Sequence, residues 1–221
     1  MCGRFTVTVD PEDLMEMFHL QTAEEMPAPR YNVAPTQNIA VVLNESPNRL
    51  SMAQWGLIPA WAKDPTIGSQ LINARAETLA EKPSFRTAFK KRRCLVLADG
   101  FYEWRKEADG KTKTPMYIRL ADGTPFAMAG LWETWTSPEG DKRRTCTIVT
   151  TTPNELLAQI HNRMPVILPR PMESGWLDDA VPALALSAML KPLPAELMQA
   201  FPVSKRVNSP ANDDRELIQP V

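Results

Sequence analysis

The chain has 221 residues, and 43% of them are hydrophobic, which is enough to build the core of one domain. Its 25 Lys and Arg residues nearly balance 26 Asp and Glu residues, so the net charge of -1 excludes a general attraction to polyanions. A nucleic-acid function would therefore depend on local basic groups. The longest apolar stretch, residues 181–190, is far shorter than the roughly 18 residues that suggest a membrane span, so we expect no membrane association.

Apolar runs and turn residues predict the elements in chain order. Six strands are expected, at residues 5–9, 39–43, 94–98, 116–120, 126–131 and 145–150. Three helices are expected: one capped by Asp10, a short one from Phe85, and one from Thr152 to Ile160. The pairs Asp109-Gly110 and Asp122-Gly123 predict hairpin turns, and the apolar ending at residues 216–221 predicts a docked tail.

The spread of prolines and glycines shows no linker and no repeat. The sequence therefore predicts an α+β fold over residues 1–221. It would be a single domain with a curved, mainly antiparallel, barrel-like β-sheet core and peripheral helices.

The cysteines are Cys2, Cys94 and Cys146, an odd number without Cys-x-x-Cys spacing. This pattern argues against a disulfide framework and against a zinc site. No apolar signal segment follows Met1. We therefore expect a cytoplasmic protein with no metal and no other cofactor.

Cys2 follows the initiator methionine, which aminopeptidases remove when the second residue is small. The mature chain would then begin with a 1,2-aminothiol, whose amine and thiol have reference pKa values of about 7.7–8.0 and about 8.5. The amine condenses with an aldehyde to a Schiff base, and the thiolate closes on the imine carbon to give a thiazolidine. The alternative is an unreactive buried thiol at the start of a strand.

Two further residues are candidates for proton transfer. Glu103 stands between aromatic residues directly after a buried strand, and His161 follows the third predicted helix. Carboxylate and imidazole groups are the usual general acids and bases. The alternatives are a solvent-facing glutamate on a strand and a structural histidine, the role that we assign to His19.

Candidate DNA contacts are scattered along the chain. Asn73 and Arg75 would share one face of a strand, where an amide can orient a sugar and a guanidinium can bind a phosphate. Arg4 and Arg163 are further phosphate candidates. The basic run at residues 90–93 is interpreted as a solvated helix end. Two tryptophans could stack on bases, Trp61 and Trp104.

Several spaced blocks resemble the SOS response-associated peptidase (SRAP) family. They are MCGRF (residues 1–5), RYNVAP (30–35), WGLIP (55–59), NARAET (73–78), ADGFYEW (98–104), IHNRMP (160–165), VNSP (207–210) and ELIQPV (216–221). The resemblance covers essentially the whole chain in the family's order. One departure is that Trp61 is followed by Ala62, where some members carry a second tryptophan.

The resemblance implies a protein that binds single-stranded DNA and links its processed terminal cysteine to the ring-opened sugar of an abasic site. The implied catalytic residues are Cys2, Asn73, Glu103 and His161. The implied DNA-binding residues are Arg4, Pro35, Trp61, Arg75, Trp104 and Arg163.

The resemblance also implies a peptidase activity, which we expect to be limited to release of Met1, and a lyase-like reversal of the crosslink. The expected partners are abasic single-stranded DNA and replication-fork proteins. We expect a monomer, associated with the nucleoid if the source is bacterial.

Two other functions are open at this stage. Cys-Gly at a processed terminus also begins the glutaminase domains of class II amidotransferases, although their signature continues differently. Glutamine hydrolysis would distinguish them. The second alternative is a non-catalytic reader of modified DNA. Its DNA binding would be retained after replacement of Cys2, whereas covalent capture would be lost.

Overall fold

The computed structural model describes residues 2–221. The strands are β1 (Phe5–Val7), β2 (Thr22–Ala23), β3 (Arg30–Val33), β4 (Asn38–Leu43), β5 (Ser46–Trp55), β6 (Asn73–Arg75), β7 (Arg93–Ala98), β8 (Gly100–Lys106), β9 (Lys113–Leu120), β10 (Phe126–Thr136), β11 (Lys142–Thr151), β12 (Met164–Pro165), β13 (Ile167–Leu168) and β14 (Met198–Pro202). The helices are α1 (Pro11–Met17), α2 (Arg86–Lys91), α3 (Glu155–Ala158), α4 (Arg170–Leu177) and α5 (Ala183–Met189). Within this range no helix is long and apolar enough to cross a membrane.

Five strands form a closed ring, which we call the barrel. In the order β11, β10, β7, β4 and β5 each strand pairs with the next in antiparallel fashion. The ring closes because β5 also pairs with β11, in parallel, with Gln54 opposite Thr145. The short strand β6 extends the barrel by pairing in parallel with β11. Closure leaves no open edge among the five strands.

A second sheet is antiparallel throughout and has the strand order β14-β9-β8-β1-β3. It packs against the barrel through the first strand, because the ring of Phe5 in β1 meets the ring of Trp55 in β5 at 5.2 Å. The continuous core that results contains buried side chains from both sheets and from the helices. The predicted α+β class, with a curved, mainly antiparallel sheet and peripheral helices, is confirmed.

The six predicted strands are present, and three local predictions are wrong. Asp122-Gly123 does turn the chain, but it connects β9 of the second sheet to β10 of the barrel, so it closes no hairpin. The third helix is shorter than predicted, because Thr151 still pairs in β11 and the cap is Asn154, whose side chain accepts from Leu157 N. Asp10 precedes α1 without a side-chain capping bond.

Two other local predictions are confirmed. Asp109-Gly110 turns between β8 and β9, which pair with each other. The tail is docked: Leu217 is fully buried, and Pro220 forms a bridge with Val203. Helices α4 and α5 were not predicted. Both begin after a proline; α4 packs on β7 and β10, and α5 packs on α4.

The basic run at residues 90–93 is not a solvated helix end throughout. Lys90 and Lys91 are exposed, but Arg93 begins β7 and its side chain is completely buried. Its guanidinium satisfies backbone acceptors that the neighbouring helices leave open, and it pairs with Asp179 at 2.8 Å. The accepting carbonyls are those of Phe89, Lys90, Trp176 and Asp178.

Arg93 therefore ties α2 and α4 to the barrel. We predict that Arg93→Met lowers the free energy of unfolding by about 3 kcal/mol, because it leaves buried carbonyls without donors. Urea denaturation measures the change. The matched control is Arg86→Met on the exposed face of α2, which should stay within about 0.5 kcal/mol of the native chain. Equal effects of the two substitutions would contradict this role of Arg93.

Candidate active site around Cys2

The beginning of the chain is fixed by Asp99, a buried carboxylate between β7 and β8. It accepts hydrogen bonds from the hydroxyls of Thr6 and Thr8 and from the backbone N–H groups of Thr8 and Val9. These bonds set the position of β1 along β8, where Phe5 lies opposite Phe101 and Thr6 opposite Gly100. Residues just before β1 are thereby held in register with β8.

Gly100 is required at this point of the sheet. A Cβ atom there would lie 2.2 Å from the hydroxyl oxygen of Tyr117. That hydroxyl is 2.9 Å from the hydroxyl of Thr6 and so belongs to the same buried network. The ADG portion of the ADGFYEW block is thus explained by packing and anchoring of β1 rather than by chemistry.

Cys2 is completely buried, and its backbone carbonyl accepts a 2.8 Å hydrogen bond from Nδ2 of Asn73. Burial raises the pKa of the Cys2 thiol well above its usual range, and the charge of Glu103 raises it further. The thiol is therefore neutral at ordinary pH. Its sulfur lies 3.9 Å from the carbonyl oxygen of Arg4.

Asn73 reaches Cys2 from the barrel side of the molecule. It begins β6, where it lies opposite Ile148 of β11. Its Oδ1 atom is buried and makes no hydrogen bond to any residue in the range 2–221. A buried amide oxygen without a donor is costly. Its capacity to accept a hydrogen bond is therefore unused within the described residues.

Glu103 and His161 complete the site from the second sheet and from the segment after α3. Glu103 is 3% exposed on β8, and its Oε1 lies 3.9 Å from Nδ1 of His161. The backbone N–H of Arg163 donates to the same Nδ1 at 3.0 Å, and the carbonyl oxygen of Arg163 lies 3.2 Å from it. The structure thus brings together Cys2, Asn73, Glu103 and His161, the four residues grouped by the sequence.

The three candidate arginines differ in their availability. Arg4 donates to the side chain of Asn32 at 2.8 Å and to the carbonyls of residues 207 and 208, so it connects β1 to the carboxyl-terminal segment. Arg163 forms a two-pronged ion pair with Glu77, at 2.6 and 3.0 Å. Arg75 is exposed, and its guanidinium makes no hydrogen bond within the described range. It is the most open of the three to a phosphate.

The candidate stacking residues also differ. Trp61 is 61% exposed, whereas Trp104 is half-buried and its indole N–H donates to Oδ1 of Asn208 at 2.8 Å. Pro35 is half-buried. At the position of the departure from the family pattern, Ala62 is buried against Trp135, whose indole N–H donates to its carbonyl at 2.7 Å. The residue after Trp61 therefore packs into the core instead of adding a second exposed ring.

A cleft of about 460 Å³ opens beside His161, with Trp104 and two lysines, Lys106 and Lys113, on its walls. No group of three or more His, Cys, Asp or Glu side chains suited to a metal ion occurs among residues 2–221. Sequence reasoning missed the supporting residues Asp99, Asn32 and Asn208, because a short polar side chain carries no local signal of a distant partner.

The fold and the site together define a class of protein. Its members join a barrel to a second sheet and bury a cysteine near the amino terminus in the same site as a glutamate and a histidine. A model of the SOS response associated peptidase (SRAP) family matches residues 1–210. The chain therefore belongs to the SRAP family, and the resemblance inferred from the motif blocks is confirmed.

Individual relatives agree with this assignment. The abasic site processing protein YoqW of Bacillus subtilis (strain 168) is 51% identical over 223 residues, which cover 99% of each chain. The abasic site processing protein YedK of Escherichia coli (strain K12) is 33% identical over 230 residues, which cover 100% of each. A crystal structure of a protein from Bacteroides thetaiotaomicron matches with a TM-score of 0.91 at 29% identity, over 100% of both chains.

The neutral state of the Cys2 thiol leads to a prediction. Glu103→Gln removes a negative charge that raises the thiol pKa, so alkylation of Cys2 by iodoacetamide at a fixed pH should become faster. The gain should be less than about tenfold, or one pKa unit, because burial is the larger cause. Peptide mass spectrometry over a pH series measures it. Glu107→Gln, which removes a half-buried carboxylate just after the end of β8, is the control. A slower rate in Glu103→Gln would refute the coupling.

Proposed function

We propose that this protein captures abasic sites in single-stranded DNA through a covalent bond to Cys2, within one domain spanning residues 1–221. The observation that carries the proposal is the meeting of Cys2 with Asn73, Glu103 and His161 in one buried site. Its relatives YoqW and YedK are named abasic site processing proteins. An abasic site presents a ring-opened aldehyde, which is the partner that a 1,2-aminothiol requires.

The proposed reaction has two bond-forming steps. The α-amine of Cys2 adds to the aldehyde carbon, and loss of water gives an imine. The sulfur then adds to the imine carbon while the imine nitrogen gains a proton, which closes the thiazolidine ring. One water molecule leaves overall, and no oxidant or reductant is needed.

The burial of Cys2 favours this order of events. A neutral thiol is a poor nucleophile, so the amine attacks first, and the sulfur must lose its proton as the ring closes. Glu103 lies close enough to affect the thiol electrostatically and is the proposed acceptor of that proton. His161, at 3.9 Å from Glu103, would pass protons to and from the sugar and the departing water.

Asn73 would hold the two reactants in place. Its Nδ2 fixes the Cys2 carbonyl, and its buried Oδ1 would accept a hydrogen bond from a sugar hydroxyl of the opened lesion. A fixed amine and a fixed aldehyde react as parts of one complex, which lowers the entropic cost of the first step.

DNA contacts are assigned in the same proposal. Arg75 binds a phosphate directly, because it is exposed and makes no internal hydrogen bond in the described range. Trp61, Trp104 and Pro35 contact bases or sugars. Arg4 and Arg163 reach DNA only if a phosphate replaces one of their present acceptors.

Release of Met1 is part of the proposal, since it creates the α-amine that the first step uses. Met1 itself lies outside the described residues. Peptidase activity is proposed for this bond alone. The same proton-transfer groups would serve a lyase-like reversal of the crosslink, because a catalyst acts on both directions of a step.

Intact mass spectrometry after incubation with single-stranded DNA carrying one abasic site tests the proposal. We expect native protein without Met1 to gain the mass of the DNA less one water, and Cys2→Ala to form no adduct while it still binds DNA. Undiminished adduct in Cys2→Ala would refute the assignment. Glutamine hydrolysis without an adduct would favour the amidotransferase function, and binding without an adduct in the native protein would favour a non-catalytic reader.

Replacement of Glu103 tests proton transfer separately. Glu103→Gln keeps the shape and removes the ionisable group, so adduct formation should slow by about 10²- to 10⁴-fold at saturating DNA. Any reversal should slow as well. A single-turnover time course, followed by a chase with excess abasic DNA, measures both phases. Native rates in both phases would show that Glu103 is not the proton-transfer group and would leave His161 for that role.

A further inference from the structure

Four exposed lysines surround Trp104 on the outer face of the β8–β9 hairpin and the neighbouring carboxyl-terminal segment. They are Lys106, Lys111, Lys113 and Lys205. Lys106 and Lys113 lie directly opposite each other in the antiparallel pair. Like charges in this position destabilise a sheet.

The nearby carboxylates do not compensate these charges. Glu107 pairs with Arg105 at 3.3 Å, and Asp109 accepts bonds from the hairpin backbone and from Thr112. None of the four ammonium groups has a carboxylate partner within the part of the chain that the structure describes. In a chain with net charge -1, this concentration of unpaired cations is a local feature that favours a polyanion.

The shape of this surface fits an extended strand. A shallow cleft of about 640 Å³ is lined by Trp104, Lys111, Lys113 and Lys205. It shares Trp104 and Lys113 with the cleft of about 460 Å³ that reaches His161. The indole is fixed by its bond to Asn208 and remains half-exposed, which suits stacking of an unpaired base. We call these joined clefts the lysine groove.

We propose that the lysine groove binds the single-stranded segment on one side of the abasic site, with the lysines on successive phosphates and a base on Trp104. The inference rests on the proposed function, because it assumes that the lesion lies next to Cys2 and His161. Arg75, two residues from Asn73 on β6, does not line this groove, so its proposed phosphate contact is a separate one.

The test compares two double variants with the same loss of charge. Lys106→Gln with Lys113→Gln removes two groove lysines, and Lys90→Gln with Lys191→Gln removes two exposed lysines elsewhere. Binding of abasic and intact oligonucleotides is titrated over a salt series. The groove variant should reduce the slope of log K against log salt by about 1.4, which is about 25-fold in affinity at 0.1 M salt, and the control should match the native protein.

Oligonucleotides shortened up to the abasic site from the 5′ or the 3′ side locate the contact. The difference between groove variant and native protein should vanish with one of these truncations and persist with the other. A slope equal to that of the control variant, or a difference that survives both truncations, would overturn the inference.

Adduct formation by the native protein is measured in parallel, so that failure of the lysine groove can be distinguished from failure of covalent capture. An adduct together with an unchanged slope in the groove variant overturns the groove and leaves covalent capture intact. A reduced slope without any native adduct supports the groove as a DNA-binding surface and overturns capture.

Discussion

The whole site depends on holding the first residues of the chain in one place. Chain termini usually fray, yet only the first residue can offer an amine next to its own thiol. Here β1 pairs on both sides, with β3 and β8, and Asp99 fastens its far end. The Asn73 bond to the Cys2 carbonyl fixes the near end at 2.8 Å. Cys2, which the proposed function makes the reactive terminus, is therefore held as firmly as an internal residue.

The charged residues divide into those that hold the fold and those that remain available. Arg93 is buried among carbonyls, Arg4 joins the two ends of the chain, and Arg163 is paired with Glu77. Arg75 and the lysines of the groove have no such partners in the described range. The balanced total charge therefore does not describe the surface, where the cations without such partners lie on β6 and around Trp104.

The sequence was informative where the signal is local. Apolar runs predicted the strands because a buried strand is a run of consecutive apolar residues. The spaced motif blocks grouped Cys2, Asn73, Glu103 and His161. The burial of Arg93, the bond from Trp104 to Asn208 and the opposition of Lys106 to Lys113 depend on partners brought together by folding. No pattern of neighbouring residues encodes such contacts. The basic run at residues 90–93 therefore resembles a solvated helix end, although its last residue, Arg93, begins β7 and is buried.

The site lies where the two sheets meet, and this location has a chemical consequence. Asn73 comes from a strand added to the barrel, whereas Glu103 comes from the second sheet. Contacts across this junction remove water from the Cys2 thiol and keep it neutral. A thiol that stays protonated until an imine is in place would be protected from oxidation and from unselective alkylation. In the proposed reaction, the packing that makes Cys2 a poor nucleophile on its own would delay sulfur attack until the amine has captured an aldehyde.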